Sequence, residues 1–266
     1  MLVTVSMRVM SAGDGYAYLL RSVTTGDGLA SQSSALTRYY AEAGTPPGNW
    51  MGSGVGQFGE GELQPGMTVT AEQLQVLLGG GCDPLTGAGL GRPYHRYATV
   101  AERIAARITG VDRKLPDGDY DVEVARIESE ETGRGPRSSV AAFDLTFSVP
   151  KSVSVLWGVA DSRTQELIVD AHHAAVAQVL DFLEREVAAT RVGAGGVAQV
   201  EVLGVAAVAY DHWDSRANDP QLHTHLVVAN KARTAADGKW RTLDSRAVHH
   251  AVVACRSTTT RCWPTE

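Results

Sequence analysis

Three of the chain's eight histidines fall within fourteen residues, His212 to His225, at a spacing that suits a metal centre. In Leu222-His-Thr-His-Leu226 the i, i+2 interval on a strand puts His223 and His225 on one face and Leu222, Thr224 and Leu226 on the other. His212 lies at the end of the preceding strand candidate, and if the two strands pair as a hairpin through Ser215 to Gln221, its ring approaches the other two. Three neutral imidazoles leave open positions on a divalent ion, which is what Lewis-acid catalysis on a substrate oxygen needs. A lone His-x-His pair is more often a surface or hydrogen-bonded feature. The third histidine, together with Asp144 on the polar face of another apolar strand, favours a metal site. Asp144 suits a place behind a ligand, because metal-bound imidazoles usually give their second N–H to a carboxylate or carbonyl, although it can instead cap a loop or pair with Lys151.

A metal site needs a substrate and a nucleophile. Four tyrosines stand in two close pairs near the N-terminus, Tyr16/Tyr18 and Tyr39/Tyr40. Paired tyrosines are usually core or interface residues. Beside a tri-histidine site they gain a chemical reading, because a phenolate can attack a metal-polarised phosphodiester and hold the product as a phosphotyrosine ester.

The elements that must position these groups are legible in part. Val3, Val5, Met7 and Val9 alternate with polar neighbours, as do Phe143, Leu145 and Phe147, which predicts two half-buried strands, the second ended by Pro150. A short helix is expected over Tyr16 to Val23, and a glycine- and proline-rich loop anchored by Trp50 and Phe58 between Gly44 and Gly66. Thr70-x-x-Gln73 opens a helix through Leu74, Leu77 and Leu78, and a second runs near Thr99 to Ile108. The polar stretch from Gly110 to Arg137 is an exposed insertion or a solvated helix around Val122 to Glu131. Ser162-Arg-Thr-Gln165 reads as a capping box for a helix of about 25 residues carrying Ile168, Ala175, Val179 and Leu183. Strand candidates follow at Ala198 to Tyr210, Leu222 to Asn230 and Trp240 to Leu243. This order is not βαβ, so an α+β fold with an antiparallel sheet and flanking helices is expected.

Composition bounds the function. With 266 residues, 44% of them hydrophobic, the chain can bury a sizeable core. The net charge of −6 taken alone argues against a polyanion partner, but seven basic residues stand against three acidic ones from Ser215 to Arg256, around the histidines. Three cysteines, Cys82, Cys255 and Cys262, suggest neither a disulfide framework nor a cysteine-based zinc site, so a reducing cytoplasm is the expected compartment. No apolar run reaches the length of a membrane span.

The segments Phe143-Asp-Leu-Thr-Phe-Ser-Val-Pro-Lys-Ser152 and His212-Trp-Asp-Ser-Arg-Ala-Asn-Asp-Pro-Gln-Leu-His-Thr-His225 closely resemble the two best-defined motifs of the MobF-type conjugative relaxases. The tyrosine pairs, Gly-Asn-Trp-Met-Gly-Ser-Gly ending at Gly54, and Asp237-Gly-Lys-Trp-Arg-Thr-Leu243 extend the resemblance over most of residues 1 to 250. It implies the palm of an HUH endonuclease, with the three histidines on the sheet holding Mg²⁺ or Mn²⁺. It implies site-specific nicking and transfer of single-stranded or hairpin DNA at an origin of transfer, through a 5′-phosphotyrosine, with accessory relaxosome proteins as further partners. Alignment on Ser11-Ala-Gly13 without a gap gives the nucleophile's role to Tyr18, and one gap would give it to Tyr16. Tyr39 and Tyr40 match a second pair used by some members for a second strand transfer, Asp144 matches the carboxylate beside metal and nucleophile, and Lys151 and Arg216 are motif residues expected to contact phosphate.

Two departures from the family pattern stand out. Residues from Gly110 to Arg137 do not map onto it, and after Ala254 the helical pattern gives way to Cys-Arg-Ser-Thr-Thr-Thr-Arg-Cys-Trp-Pro-Thr-Glu266. The expectation is a relaxase domain over residues 1–254, cut short, with an aberrant and out-of-frame tail at 255–266; no Gly-x-x-x-x-Gly-Lys-Ser/Thr phosphate loop is present. An inactive remnant that at most binds DNA is the alternative function, and a small-molecule metallohydrolase is disfavoured by the paired tyrosines.

Overall fold

The computed structural model describes residues 3–19, 46–113, 115–215 and 219–258. The chain divides into two compact units, Met1–Pro93 with Val140–Glu266, and Tyr94–Ser139. Among the described residues no helix is long and apolar enough to cross a membrane.

The first unit is built on a five-stranded antiparallel sheet. Its strands are β1 (Thr4–Ser11), β2 (Asn49–Met51), β3 (Val140–Ser148), and, after a separate ladder of β4 (Ala189–Val192) with β5 (Ala198–Glu201), β6 (Ala207–Asp214) and β7 (Pro220–Ala229). The order across the sheet is β1-β3-β7-β6-β2, and a small pair, β8 (Ala232–Arg233) with β9 (Trp240–Arg241), lies apart. The expected α+β architecture is therefore present.

Period-two alternation sorts the two faces. Val5, Phe143, Leu145, Phe147, Leu222, Leu226 and Val228 form a core with Val176, Leu180 and Leu183 from the Ser162–Phe182 helix and its continuation, and with Val248, Ala251 and Val252 from the Ser245–Thr258 helix. Burying one such side chain contributes about 1.5–3 kcal/mol, so a shift of β7 by one residue would forfeit several of these terms and turn the histidines inward. Hydrophobic patterning thus fixes which way the imidazoles face.

Several local readings need correction. The segment at Gly44 to Gly66 contributes the edge strand β2, whose Trp50 is fully buried; a three-residue strand among glycines has no period to read. Pro150 ends β3 but also caps a helix, Lys151–Val159, whose Val153 and Val155 suggested no helical pattern. The Ser162–Phe182 helix is capped by Asp161, whose carboxylate accepts from the Thr164 amide, rather than by Ser162. The strand expected over Ala198 to Tyr210 breaks at Gly204, whose φ of +115° no ordinary strand residue adopts. The two capping boxes at Thr70 and Thr99 form with both reciprocal hydrogen bonds. The last described helix is Ser245–Thr258.

The second unit is a pair of helices, Val100–Thr109 and Asp117–Arg134, tied by charge. Glu131 is buried and bonds Arg103 at 2.7 Å, Arg107 at 2.8 Å and Arg134 at 2.6 Å. The expected helix around Val122 to Glu131 is thus real and longer than its apolar pattern suggested.

Candidate metal and nucleophile site

The β6/β7 hairpin places His212 directly opposite His223, and β3 places Thr146 opposite His225. The three ring centroids lie 5.0–5.4 Å apart, and one ligand atom from each histidine falls within 4.8 Å of the others. Hydrogen bonds decide which nitrogen is available. His223 Nδ1 donates to the Gln221 carbonyl at 2.8 Å, and His225 Nδ1 donates to Asp144 at 2.9 Å, with Thr146 Oγ1 at 3.3 Å. Carbonyl and carboxylate oxygens only accept, so both rings keep Nε2 as a free lone pair. His212 Nε2 is buried with no hydrogen-bond partner among the described residues. A buried ring nitrogen without a partner, beside two free imidazole nitrogens, fits a divalent cation. Burial, reinforced by His225 and His223, pushes His212 down to about 4, and burial also lowers His223, so both remain neutral ligands at physiological pH.

Asp144 joins this cluster to the nucleophile candidate. After β1 the chain turns at Gly13, where φ is +84°, into a 3-10 turn and a helical stretch at residues 17–19. That turn brings the Tyr18 hydroxyl onto Asp144 Oδ2, to which it donates, and its ring 6.0 Å from that of His225. Tyr16 is buried, with its ring edge close to Gly79. Burial first, then the charge and hydrogen bond of Asp144, raise the Tyr18 phenol above the usual tyrosine range, while Arg8 pulls it down. Asp144 therefore pairs with His225 and Tyr18 rather than with Lys151.

The remaining expected residues divide in two groups. Lys151 is exposed; its ammonium donates to the Pro220 carbonyl at 3.1 Å and lies 3.7 Å from Asp219, so it braces the start of β7. Tyr39, Tyr40 and Arg216 lie outside the described residues.

A matching set of polar groups, not read from the sequence, lies on the opposite face of the same two strands. Thr224, between His223 and His225, is paired across the hairpin with Asp211, next to His212, and donates to its carboxylate at 2.6 Å. From the helix above, His172 Nε2 donates to Thr224 Oγ1 at 2.8 Å and His173 Nε2 bonds the other Asp211 oxygen at 2.9 Å. The signal was present in the parity of the strands, since residues between ligands must face away from the metal.

A family model for the TrwC relaxase matches residues 12–262. The chain belongs to the TrwC relaxase family. It is 37% identical over 139 residues to the multifunctional conjugation protein TraI of Escherichia coli, a stretch that is 51% of this chain and 7% of that protein. The chain thus spans a small fraction of the length of the curated relatives it matches. As a TrwC relaxase-family fold it superposes on the conjugative relaxase TrwC in complex with oriT DNA, copper-bound, with a TM-score of 0.59 at 22% identity, covering 96% of this chain and 67% of that one. A structure of TrwC with a 27-mer DNA comprising the recognition hairpin and the cleavage site gives a TM-score of 0.53 at 22% identity, covering 97% and 69%.

Proposed function

We propose that this relaxase-family chain nicks single-stranded DNA at an origin of transfer, hairpin DNA included, and carries the strand as a 5′-phosphotyrosine on Tyr18. The observation that supports it most is the hydrogen-bonded run from the Tyr18 hydroxyl through Asp144 to His225, one member of the tri-histidine cluster. The Tyr18 oxygen attacks phosphorus in line, its proton passes to Asp144 Oδ2, and the bond from phosphorus to the 3′ oxygen breaks. The leaving 3′ oxygen takes a proton from solvent water and becomes a free 3′-OH, while the ester preserves the energy needed to rejoin the strand. A divalent ion held by His212, His223 and His225 supplies charge neutralisation at a phosphate oxygen when bound. Mg²⁺ and Mn²⁺ are the expected ions, and an all-imidazole donor set favours Mn²⁺ over Mg²⁺. Tyr39 and Tyr40 are proposed for a second transfer, Lys151 and Arg216 for phosphate contacts, and accessory relaxosome proteins as further partners in the cytoplasm.

The test uses the full chain, Mn²⁺ and a single-stranded pool with a randomised central region, followed by denaturing electrophoresis. An SDS-stable protein–DNA band that disappears on chelation and in the His223→Ala/His225→Ala double variant is expected. A double variant that forms the band at the wild-type rate overturns the metal role.

A further inference from the structure

Arg8 occupies the site face of β1, where the register sets it directly opposite Asp144. Met7, before Arg8 on β1, packs against the core, and Phe143 and Leu145, which flank Asp144 on β3, lie in it, so the guanidinium and the Asp144 carboxylate leave the sheet on the same side. Directly opposed residues have Cβ atoms about 4.5–5.5 Å apart, well within an arginine's reach. Yet the two do not pair. Asp144 is turned toward β7 and Tyr18, bonding His225 and the Tyr18 hydroxyl, and the Arg8 side chain is exposed with no side-chain hydrogen bond or ion pair among the described residues. The Arg8 charge is nevertheless felt at the Tyr18 phenol, against the effects of burial and of Asp144.

That arrangement leaves an unneutralised cation beside an anion and a nucleophile. A phosphodiester approaching the Tyr18 oxygen meets the negative Asp144 carboxylate at close range, and in-line attack adds negative charge to its non-bridging oxygens. The histidine cluster stands on the β7 side of Asp144, so a metal there neutralises charge from one flank only. A planar guanidinium on the β1 flank supplies the complementary donor, and its forked N–H groups match phosphate oxygens. Resting on the proposed nicking activity, we infer that Arg8 is a further catalytic residue, which binds a non-bridging oxygen of the scissile phosphate opposite the metal flank while Tyr18 attacks.

The test compares wild type with Arg8→Ala and Arg8→Lys on the single-stranded sequence that the wild type traps, made with either a normal phosphodiester or a methylphosphonate at the cleaved linkage. On the normal substrate, Arg8→Ala is expected to slow adduct formation about 100-fold, with Arg8→Lys recovering part of the loss. Mn²⁺ affinity and melting temperature remain at wild-type values. On the methylphosphonate diastereomer that lacks the contacted oxygen, the gap between wild type and Arg8→Ala is expected to close to within about threefold. Equal rates for wild type and Arg8→Ala on the normal substrate, or the same gap on both methylphosphonate diastereomers, overturn the assignment of Arg8 alone. Absence of any wild-type adduct overturns the nicking reading, and this inference with it.

Discussion

Tyr18, Asp144 and His225 share hydrogen bonds through one carboxylate, so changing its charge is expected to disturb both of its proposed roles at once. Asp144→Asn is expected to slow adduct formation about 10²–10⁴-fold, because an amide cannot take the phenolic proton. It is also expected to weaken Mn²⁺ binding roughly 10–100-fold, because His225 loses the partner that fixes its tautomer. Rates by quenched gel assay and affinity by calorimetry check the two effects separately, and an unchanged rate removes Asp144 from the proton path. At this scale the histidines and Asp144 were legible because strand alternation assigns each residue to a face. The choice between Tyr16 and Tyr18 was not, since it depends on the positive-φ turn at Gly13. Arg8 is not legible as a site residue in the sequence, because a single charge on the polar side of a strand looks like a solvated face until its cross-strand partner is known.

The β6/β7 hairpin is held in register from behind by Thr224, Asp211, His172 and His173. Thr224→Val keeps the shape and removes the hydroxyl, leaving the buried His172 donor and the Asp211 acceptor without it. The expected result is a Mn²⁺ affinity lower by about 10-fold and altered visible bands in the Co²⁺ form, with recovery in Thr224→Ser. A Co²⁺ spectrum identical to wild type would mean that the network does not position the ligands. Burial also pushes His172 down to about 4. The unfolded chain takes up this proton near pH 6.5 while the fold refuses it, so stability is fully present above 6.5 and declines as the pH falls toward 4. His172→Gln is expected to remove up to about 3 kcal/mol of that acid-side decline, measured by denaturation at pH 7 and pH 4.5. Equal declines in both proteins would contradict a neutral His172. Long periodic elements and the Thr70 capping box are readable at this scale, whereas the Ser162 box is displaced by an Asp161 cap. The Lys151–Val159 helix was not, since its Ser-Val-Ser-Val start carries β-branched residues and its stability comes from packing, including the Ser154 hydroxyl that accepts the Leu222 amide.

Over the whole chain, charge is organised locally rather than by its total. The −6 balance hides a basic excess around the histidines and a cluster of arginines and glutamates in the Tyr94–Ser139 unit. Its two helices are foreshadowed in the sequence, but their joining is not, because the ion pairs that join them have partners more than twenty residues apart. Glu131→Gln is expected to speed hydrogen exchange in Val100–Thr109 and Asp117–Arg134 roughly tenfold or more while Mn²⁺ affinity stays at the wild-type value. Loss of Mn²⁺ binding in that variant would contradict this expectation. The central claim for the molecule is that Tyr18 carries the DNA strand. Its most direct measurement is mass spectrometry of the peptides from a protein–DNA adduct after nuclease trimming. The expected result is a nucleotide bonded through phosphate to the Tyr18 oxygen, with no adduct from Tyr18→Phe. A nucleotide on Tyr16, or an adduct of normal yield from Tyr18→Phe, would contradict it.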